Sequence, residues 1–344
     1  MGVRPCVTER IGPLHWGIMS ICPCPLCSSG AARPWLHVPI DWRKPADATA
    51  YELAWCDSCA FGFLTPRPTP AQVASFYDTP DYYTHGTQAA KRPVSPWHEK
   101  LRVAIAWRLD KGRELHHTPE VVKQAWKRAE LGGARVLDLG CGSGGFLAAM
   151  KDQGATVTGV EPDDKARDAV RSRGISVHAG TAEDIPDEVL AQQFDIITTR
   201  HVLEHCIDPL KVLRNVKRML APGGVYLCDV PNNNALGLQR AGGAWHWLDV
   251  PRHINFFTRK SLADAARQAG LQVASESYCG LTQQIAPIWI DFEKTSTQRI
   301  NAAAGKNTRP DGLTPGHSQA WKLLLALAGA SDDQRYDTLR LIAS

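Results

Sequence analysis

The chain of 344 residues has no run of about eighteen uncharged apolar residues, so no segment reads as a membrane-spanning helix. Its start carries charges, Pro13 and His15 where a secretory leader would be apolar, and the product is expected in the cytoplasm. Neither sign of charge is in excess, because 39 Lys and Arg face 35 Asp and Glu for a net +4 spread along the chain. So mild a balance does not point to a nucleic-acid partner. Position 6 is Cys where a myristoylation signal after Gly2 wants Ser or Thr, which argues against a lipid anchor. No internal repeat or low-complexity tract is present. The cysteines lack the spread of a secreted disulfide framework: six precede residue 60, and four are scattered from Cys141 to Cys279.

At roughly 100–200 residues per domain, the length suggests two domains. Residues 1–18 are expected to form a disordered extension, with Met19 as an alternative start. Residues 19–62 hold two close cysteine pairs among turn formers and read as a small metal-binding ribbon. Residues 63–131 form a linker rich in proline and aromatics (Pro66, Pro68, Pro70, Phe76, Tyr77, Tyr82, Tyr83) and then a helical lid. The helices are read from apolar residues at steps of three and four, Leu101, Ile105 and Leu109, then Val122, Trp126 and Ala129. Over 132–280, β-branched runs alternate with helical stretches. Strands are predicted over 135–139, 156–161, 176–179, 194–199, 225–230 and 271–275, and helices over 146–153, 164–173, 210–220 and 261–269. This alternation implies an α/β fold with a parallel sheet covered on both faces. Pro222-Gly223-Gly224 predicts a turn before the fifth strand. Residues 281–344 supply a C-terminal helical segment and a last strand over 336–343.

The chemistry concentrates in Val136-Leu-Asp138-Leu-Gly140-Cys141-Gly142-Ser-Gly144-Gly145. A glycine-rich turn between strand and helix lets the backbone approach a ligand and aims free N–H groups at it. An ordinary tight turn or a dinucleotide site would show the same glycines. Asp138 is placed to hold the amino group of an amino-acid-bearing ligand. Glu161, at the end of the next strand, can accept both hydroxyls of an adenosyl ribose, a geometry that NAD sites share. The separating features come later: Gly180-Thr-Ala-Glu183-Asp184-Ile-Pro186 after the third strand, Arg200-His201-Val-Leu-Glu204-His205 after the fourth, and no second mononucleotide-binding half.

On these residues the chain resembles class I S-adenosylmethionine-dependent methyltransferases over residues 132–280. The resemblance implies S-adenosylmethionine as cofactor and a Rossmann-like sheet with helices on both faces, its antiparallel seventh strand supplied by 336–343. It places Asp138, Gly140, Cys141, Gly142 and Gly144 at the methionine moiety, Glu161 at the ribose, Glu183 or Asp184 at the adenine amine, and His201 along the pocket. Thr181 stands where many relatives carry Asp, which leaves the adenine contact open.

Cys24-Pro-Leu-Cys27 and Cys56-Asp-Ser-Cys59 are two C-x-x-C knuckles, together able to place four thiolates on one tetrahedral ion, with zinc the leading candidate. A redox pair or unrelated buried cysteines are the alternatives. Cys6 and Cys22 are left over. A site with four protein ligands has no open position and should stabilise the fold. The order of ribbon, Phe63-Leu-Thr-Pro-Arg-Pro-Thr-Pro and tyrosine-rich linker resembles a bacterial branch of the family associated with sugar and natural-product pathways.

Methyl transfer is an in-line displacement, so the protein must align the nucleophile and remove its proton. Four histidines in the loops after the fourth and fifth strands suit that role, namely His201, His205, His246 and His253. His253 is the first choice as base, although it also fits a loop brace held by backbone hydrogen bonds. Glu204 and His205 fit equally well as caps of the helix that follows them. Trp245, Trp247, Phe256 and Phe257 offer stacking surface. Three functions remain open: methyl transfer to the O or C of a small molecule, RNA modification with the ribbon gripping nucleic acid, and cofactor binding without catalysis. The oligomeric state is not legible.

Overall fold

A computed structural model describes residues 7–9, 19–30, 32–78, 97–110, 117–305 and 317–344. Tyr82, Tyr83, most of the expected extension and the turn-rich stretch 306–316 lie outside these residues. Part of that extension is ordered into a strand pair: β1 (Val7–Glu9) runs antiparallel to β2 (Met19–Ile21), with Val7 opposite Ile21. Val7, Thr8 and Ile21 are β-branched residues suited to such a ladder.

β3 (Ala32–Val38), β4 (Tyr51–Cys56) and β5 (Phe61–Thr65) form an antiparallel sheet. The expected end of the ribbon at residue 62 thus falls inside a strand. α1 (Pro70–Phe76), α2 (Trp97–Asp110) and α3 (Pro119–Trp126) follow. The main sheet is then built by β6 (Arg135–Leu139), α4 (Gly145–Asp152), β7 (Thr156–Glu161), α5 (Asp164–Ser172), β8 (Ser176–Ala179), α6 (Asp187–Leu190), β9 (Phe194–Arg200), α7 (Pro209–Met219) and β10 (Leu220–Pro231). After it come α8 (Leu236–Ala241), β11 (Asn255–Phe256), α9 (Arg259–Gln268), β12 (Val273–Cys279), α10 (Pro287–Ala303), α11 (His317–Gly329), α12 (Asp332–Arg335) and β13 (Thr338–Ala343).

The seven strands lie in the order β12-β13-β10-β9-β6-β7-β8, with β13 antiparallel to both neighbours. The expected α/β alternation and the antiparallel seventh strand are both present. Central strands of a parallel sheet are covered on both faces and read as continuous apolar runs. β6 is accordingly buried from Val136 to Leu139. α7 turns Leu210, Val212, Leu213, Val216 and Met219 inward, and Asp208 caps its start by accepting from the Lys211 amide.

Three expectations change. β10 runs through Pro222-Gly223-Gly224, and the would-be turn survives as a register shift against β9 between Leu220 and Val225, with Gly223 at φ 74°. The strand expected over 271–275 begins two residues later and extends to Cys279, and just before it Gln272 exchanges backbone hydrogen bonds with Ser344 beside β13. The expected lid divides. α3 packs under the sheet through Val122, in one cluster with Val136, Val157 and Leu227. α2 buries Ala106 against Ile285 and Leu324.

The ribbon is not a free-standing module. β11, from the loop after β10, adds to the ribbon sheet as its fourth strand, Asn255 opposite Phe63 and Phe256 opposite Gly62. A Cβ on Gly62 would come within 2.5 Å of the Trp35 ring, so that ring lies over the β5 backbone in space that only glycine leaves open. Phe61 and Phe63 share a hydrophobic core with Leu139, Leu213, Phe257 and Leu262.

A buried charge network completes the joint. Arg252 makes a forked pair with Asp41, Nη2 to Oδ1 at 2.6 Å and Nη1 to Oδ2 at 2.8 Å. It also donates to Asp249 at 3.1 and 3.2 Å and to the Phe76 carbonyl at 3.2 Å. Arg43 adds a bond to Asp249 at 2.8 Å. Burial alone would raise the Asp249 carboxyl, but Arg252 and Arg43 hold it well below the ordinary range. Removing one partner of a buried pair costs roughly 3–5 kcal/mol, because the other charge is left without compensation. Exposed pairs such as Arg33–Asp57, more than half accessible on each side, contribute about 0–1 kcal/mol. Denaturant unfolding of Asp41→Ala and Asp57→Ala is therefore expected to separate the two by several kcal/mol, Asp41→Ala being the weaker protein; equal losses would contradict this placement of the joint.

Candidate functional site

The crevice of an open α/β sheet lies at the carboxyl ends of its strands, and the predicted residues converge there. The chain turns after β6 at Gly140, φ 72°, where a Cβ would meet Val202 at 2.7 Å. The loop after β9 is thereby pressed against the glycine loop. Beside Gly142, φ 52°, nothing stands within 4 Å of a Cβ, so space for a ligand opens at the loop's crest. Gly144 begins α4 as its N-terminal cap residue.

Asp138 is buried at the end of β6 and accepts from the Thr198 hydroxyl at 2.6 Å. Burial raises its carboxyl, with Arg200, Thr198 and His117 acting in the opposite direction. Glu161 receives the Gly142 amide at 2.8 Å and the Asp163 amide at 3.0 Å, and burial raises its carboxyl too. A carboxylate has about four acceptor sites, so two remain for a diol. The Cys141 thiol is packed inward, within 2.6 Å of where a Gly159 Cβ would stand, and what Cys141 offers the loop is backbone.

The two acids expected near adenine are already engaged. Glu183 accepts the Ile207 and Asp208 amides at 3.0 and 2.7 Å, ordering the approach to α7. Asp184 is 81% exposed and pairs with Lys211 at 2.6 Å. Thr181 accepts the Asp184 amide at 3.0 Å and shapes the turn between them.

The histidines form one group. His201 follows β9 at φ 55°, a left-handed conformation uncommon outside glycine. Its Nδ1 lies 3.1 Å from Glu204 Oε1. Its ring stacks on Trp247, centroids 4.9 Å apart and planes 11° apart, and Trp247 stacks in turn on Trp289 at 5.1 Å. Burial would raise Glu204, yet His201, His205 and His253 around it hold its carboxyl below the ordinary value. His205 Nδ1 approaches the Arg252 carbonyl at 3.0 Å and the Tyr77 hydroxyl at 2.8 Å. His253 Nδ1 lies 2.8 Å from the Trp247 carbonyl. Burial, helped by His205, pulls His253 down to about 4, against the opposing effect of Glu204 and Asp249. The ring is buried and tied to the backbone of its own loop. The side chain of His246 lies outside the described residues. Trp245, Phe256 and Phe257 are core residues; among the four expected stacking aromatics, Trp247 is partly exposed.

Several contributors were not legible. Arg67 spans both loops, donating to the Ile254 carbonyl at 2.6 Å and to the Cys206 and Ile207 carbonyls at 3.1 and 2.6 Å. Asn255 donates to the Leu203 and Cys206 carbonyls at 2.7 and 2.6 Å. His117 sits 3.1 Å from Asp229, whose carboxylate also takes Arg340 at 2.9 and 2.8 Å. Each is a lone polar residue whose partner lies far along the chain.

Cys24, Cys27, Cys56 and Cys59 come together as free thiols, with Cys24–Cys59 Sγ at 3.4 Å, Cys27–Cys56 at 3.6 Å and Cys27–Cys59 at 3.7 Å. Metal–sulfur bonds of about 2.3 Å in a tetrahedron require sulfur spacings of roughly 3.8 Å, so the four fit one ion with little movement. Cys22 stands outside the cluster.

The geometry generates a test at the donor side. Asp138→Ala is expected to weaken S-adenosylhomocysteine binding by about tenfold or more, the equivalent of one charge-assisted hydrogen bond, while Asp184→Ala leaves it unchanged. Calorimetric titration showing the two variants alike would refute this division of roles.

A family profile described as a methyltransferase domain matches residues 113–276. The ubiquinone biosynthesis O-methyltransferase of Pseudomonas syringae pv. tomato is 37% identical over 187 residues, covering 51% of this chain and 78% of that protein. The protein of the same name from Pseudomonas aeruginosa strain LESB58 is 35% identical over 168 residues, 45% of this chain and 71% of that one. Among solved structures, an S-adenosylmethionine-dependent methyltransferase from Mesorhizobium loti aligns over 64% of this chain and 95% of that one, at 18% identity and a TM-score of 0.43. With a glycine loop at the carboxyl end of β6, the antiparallel seventh strand and relatives of this identity and coverage, the chain belongs to the class I S-adenosylmethionine-dependent methyltransferases.

Proposed function

We propose that the enzyme methylates a hydroxyl oxygen of a small molecule, with His201 as the proton acceptor, and that its cysteine cluster holds a structural zinc ion. The observation that carries the acceptor chemistry is the His201–Glu204 pair. A carboxylate only accepts, so His201 donates its Nδ1–H to Glu204 and keeps a lone pair on Nε2. Its side chain is 21% exposed, whereas Glu204 is buried, the arrangement of a base steadied by an orienting acid. The acceptor oxygen attacks the methyl carbon, the carbon–sulfur bond breaks to leave the neutral thioether, and the hydroxyl proton passes to His201 Nε2. The relatives' names, which specify O-methylation in ubiquinone biosynthesis, support an oxygen on a small acceptor. Sugar and natural-product intermediates are acceptors of the same hydroxyl chemistry.

General base catalysis contributes roughly 10²–10⁴-fold. His201→Ala is expected to lower kcat by that range while S-adenosylhomocysteine affinity stays the same, measured as product release over a panel of phenolic and sugar hydroxyl acceptors. Methyl label entering RNA and no small hydroxylated acceptor would overturn the assignment.

Cys24, Cys27, Cys56 and Cys59 would hold zinc as thiolates, closing the ribbon without leaving a position for substrate. Because Arg252 and β11 tie the ribbon to the loop carrying His253, the ion would act on activity through loop geometry. One equivalent of zinc is expected to be released when a thiol-directed mercurial titrates the protein, and Cys56→Ser should lower the melting temperature together with the zinc content. Intact protein carrying no thiol-releasable zinc would remove this part of the proposal.

A further inference from the structure

The second oxygen of Glu204 belongs to a different arrangement. One ligand atom from each of Glu204, His205 and His253 lies within 4.8 Å of the other two. A backbone carbonyl can only accept, so His253 donates Nδ1–H to the Trp247 carbonyl at 2.8 Å and keeps its lone pair on Nε2. His205 Nδ1 lies between the Arg252 carbonyl at 3.0 Å and the Tyr77 hydroxyl at 2.8 Å. Glu204 uses Oε1 for His201, and its Oε2 is buried with no hydrogen-bond partner. The residue is 1% exposed. A buried carboxylate oxygen without a partner and two imidazole rings are thus gathered within ligand distance of one another. Buried acceptors are almost always satisfied, so a cluster of this kind calls for a cation.

We propose that Glu204, His205 and His253 bind a divalent first-row metal ion. Two neutral imidazoles and one carboxylate form a donor set that such ions take, and three protein ligands leave positions open for water or an acceptor oxygen. Metal-binding histidines characteristically donate their other ring N–H to a carbonyl or carboxylate, as His253 does to the Trp247 carbonyl. The ligands are also held in advance. Glu204 and His205 lie in the turn after β9, and His253 in the loop after β10. The Ile254 amide donates to the Glu204 carbonyl at 2.8 Å, and Arg67 and Asn255 bridge the same two segments. His205 is partly exposed and gives the ion a route from solvent. The donors differ from the four thiolates of the ribbon, so the two sites differ in metal preference and in spectrum. The ion's role rests on the hydroxyl-transfer reading: bound to the acceptor oxygen, it lowers the hydroxyl's pKa and aligns the oxygen on the methyl carbon. Its binding does not depend on that reading.

The test uses the full chain with zinc in the cysteine site and neither donor nor acceptor present. Titration with Co2+ is expected to give one further equivalent with visible ligand-field absorption and no thiolate-to-cobalt charge transfer, and Mn2+ to bind by electron paramagnetic resonance. His253→Asn and His205→Gln should each weaken this binding by about tenfold or more, whereas His178→Asn, at a histidine paired with Glu188 far from the cluster, should not. Glu204→Gln should do the same as the two histidine variants where melting shows it folded. Absence of a cobalt site in the zinc-loaded wild type, or affinity unchanged in both His253→Asn and His205→Gln, overturns the proposal. Metal binding without transfer to any hydroxylated acceptor removes the hydroxyl reading alone, and transfer without metal binding removes the metal site alone.

Discussion

The buried guanidinium of Arg252 is the constraint on which the rest of the site depends. A charge taken fully out of water is tolerable only where acceptors surround it. Here the acceptors come from the ribbon (Asp41), the end of α1 (Phe76) and its own loop (Asp249). The next residue is His253, and the Arg252 carbonyl lies 3.0 Å from His205 Nδ1. One side chain thereby sets the distance between the cysteine ribbon and the histidines at the donor crevice. The ribbon braces the loop that carries His253.

The same logic recurs around it. β11 places Asn255 in the ribbon sheet, and Asn255 in turn holds the turn containing Glu204. Arg67, on the segment leaving the ribbon, takes carbonyls from the loops after β9 and β10. Burial pulls its guanidinium down to about 10, with Glu183, Cys206 and Asp208 opposing the shift, so it remains charged at neutral pH. Polar groups in a low-dielectric interior are strong when satisfied and costly when not, which makes such networks rigid. Rigidity is what an in-line displacement needs from the protein.

Local patterns carried the donor side well. Strands β6, β7 and β8 follow directly from β-branched runs, and the Gly140–Gly145 turn with Asp138 and Glu161 follows from spacing, because each depends on residues close in sequence. The two cysteine knuckles were legible for the same reason, since each presents a pair in one turn. The acceptor side was less so. By its neighbours in sequence Glu204 is a plausible helix cap, and its place between three histidines depends on β9 and β10 lying side by side. His253 looks like a base by residue type, and its burial and its bond to the Trp247 carbonyl are visible only in the folded chain.

The sequence by itself determined the fold class, the methyl donor and the grouping of four thiols, through periodicity and short motifs whose physics is local. Tertiary structure alone decided which histidines are buried and which reach solvent, which acids are spent on backbone amides, and that the ribbon and the main sheet share one core. Those outcomes turn on burial and on partners up to 211 residues apart, as between Asp41 and Arg252. Desolvation and pairing are properties of the assembled interior, and no window of sequence contains them.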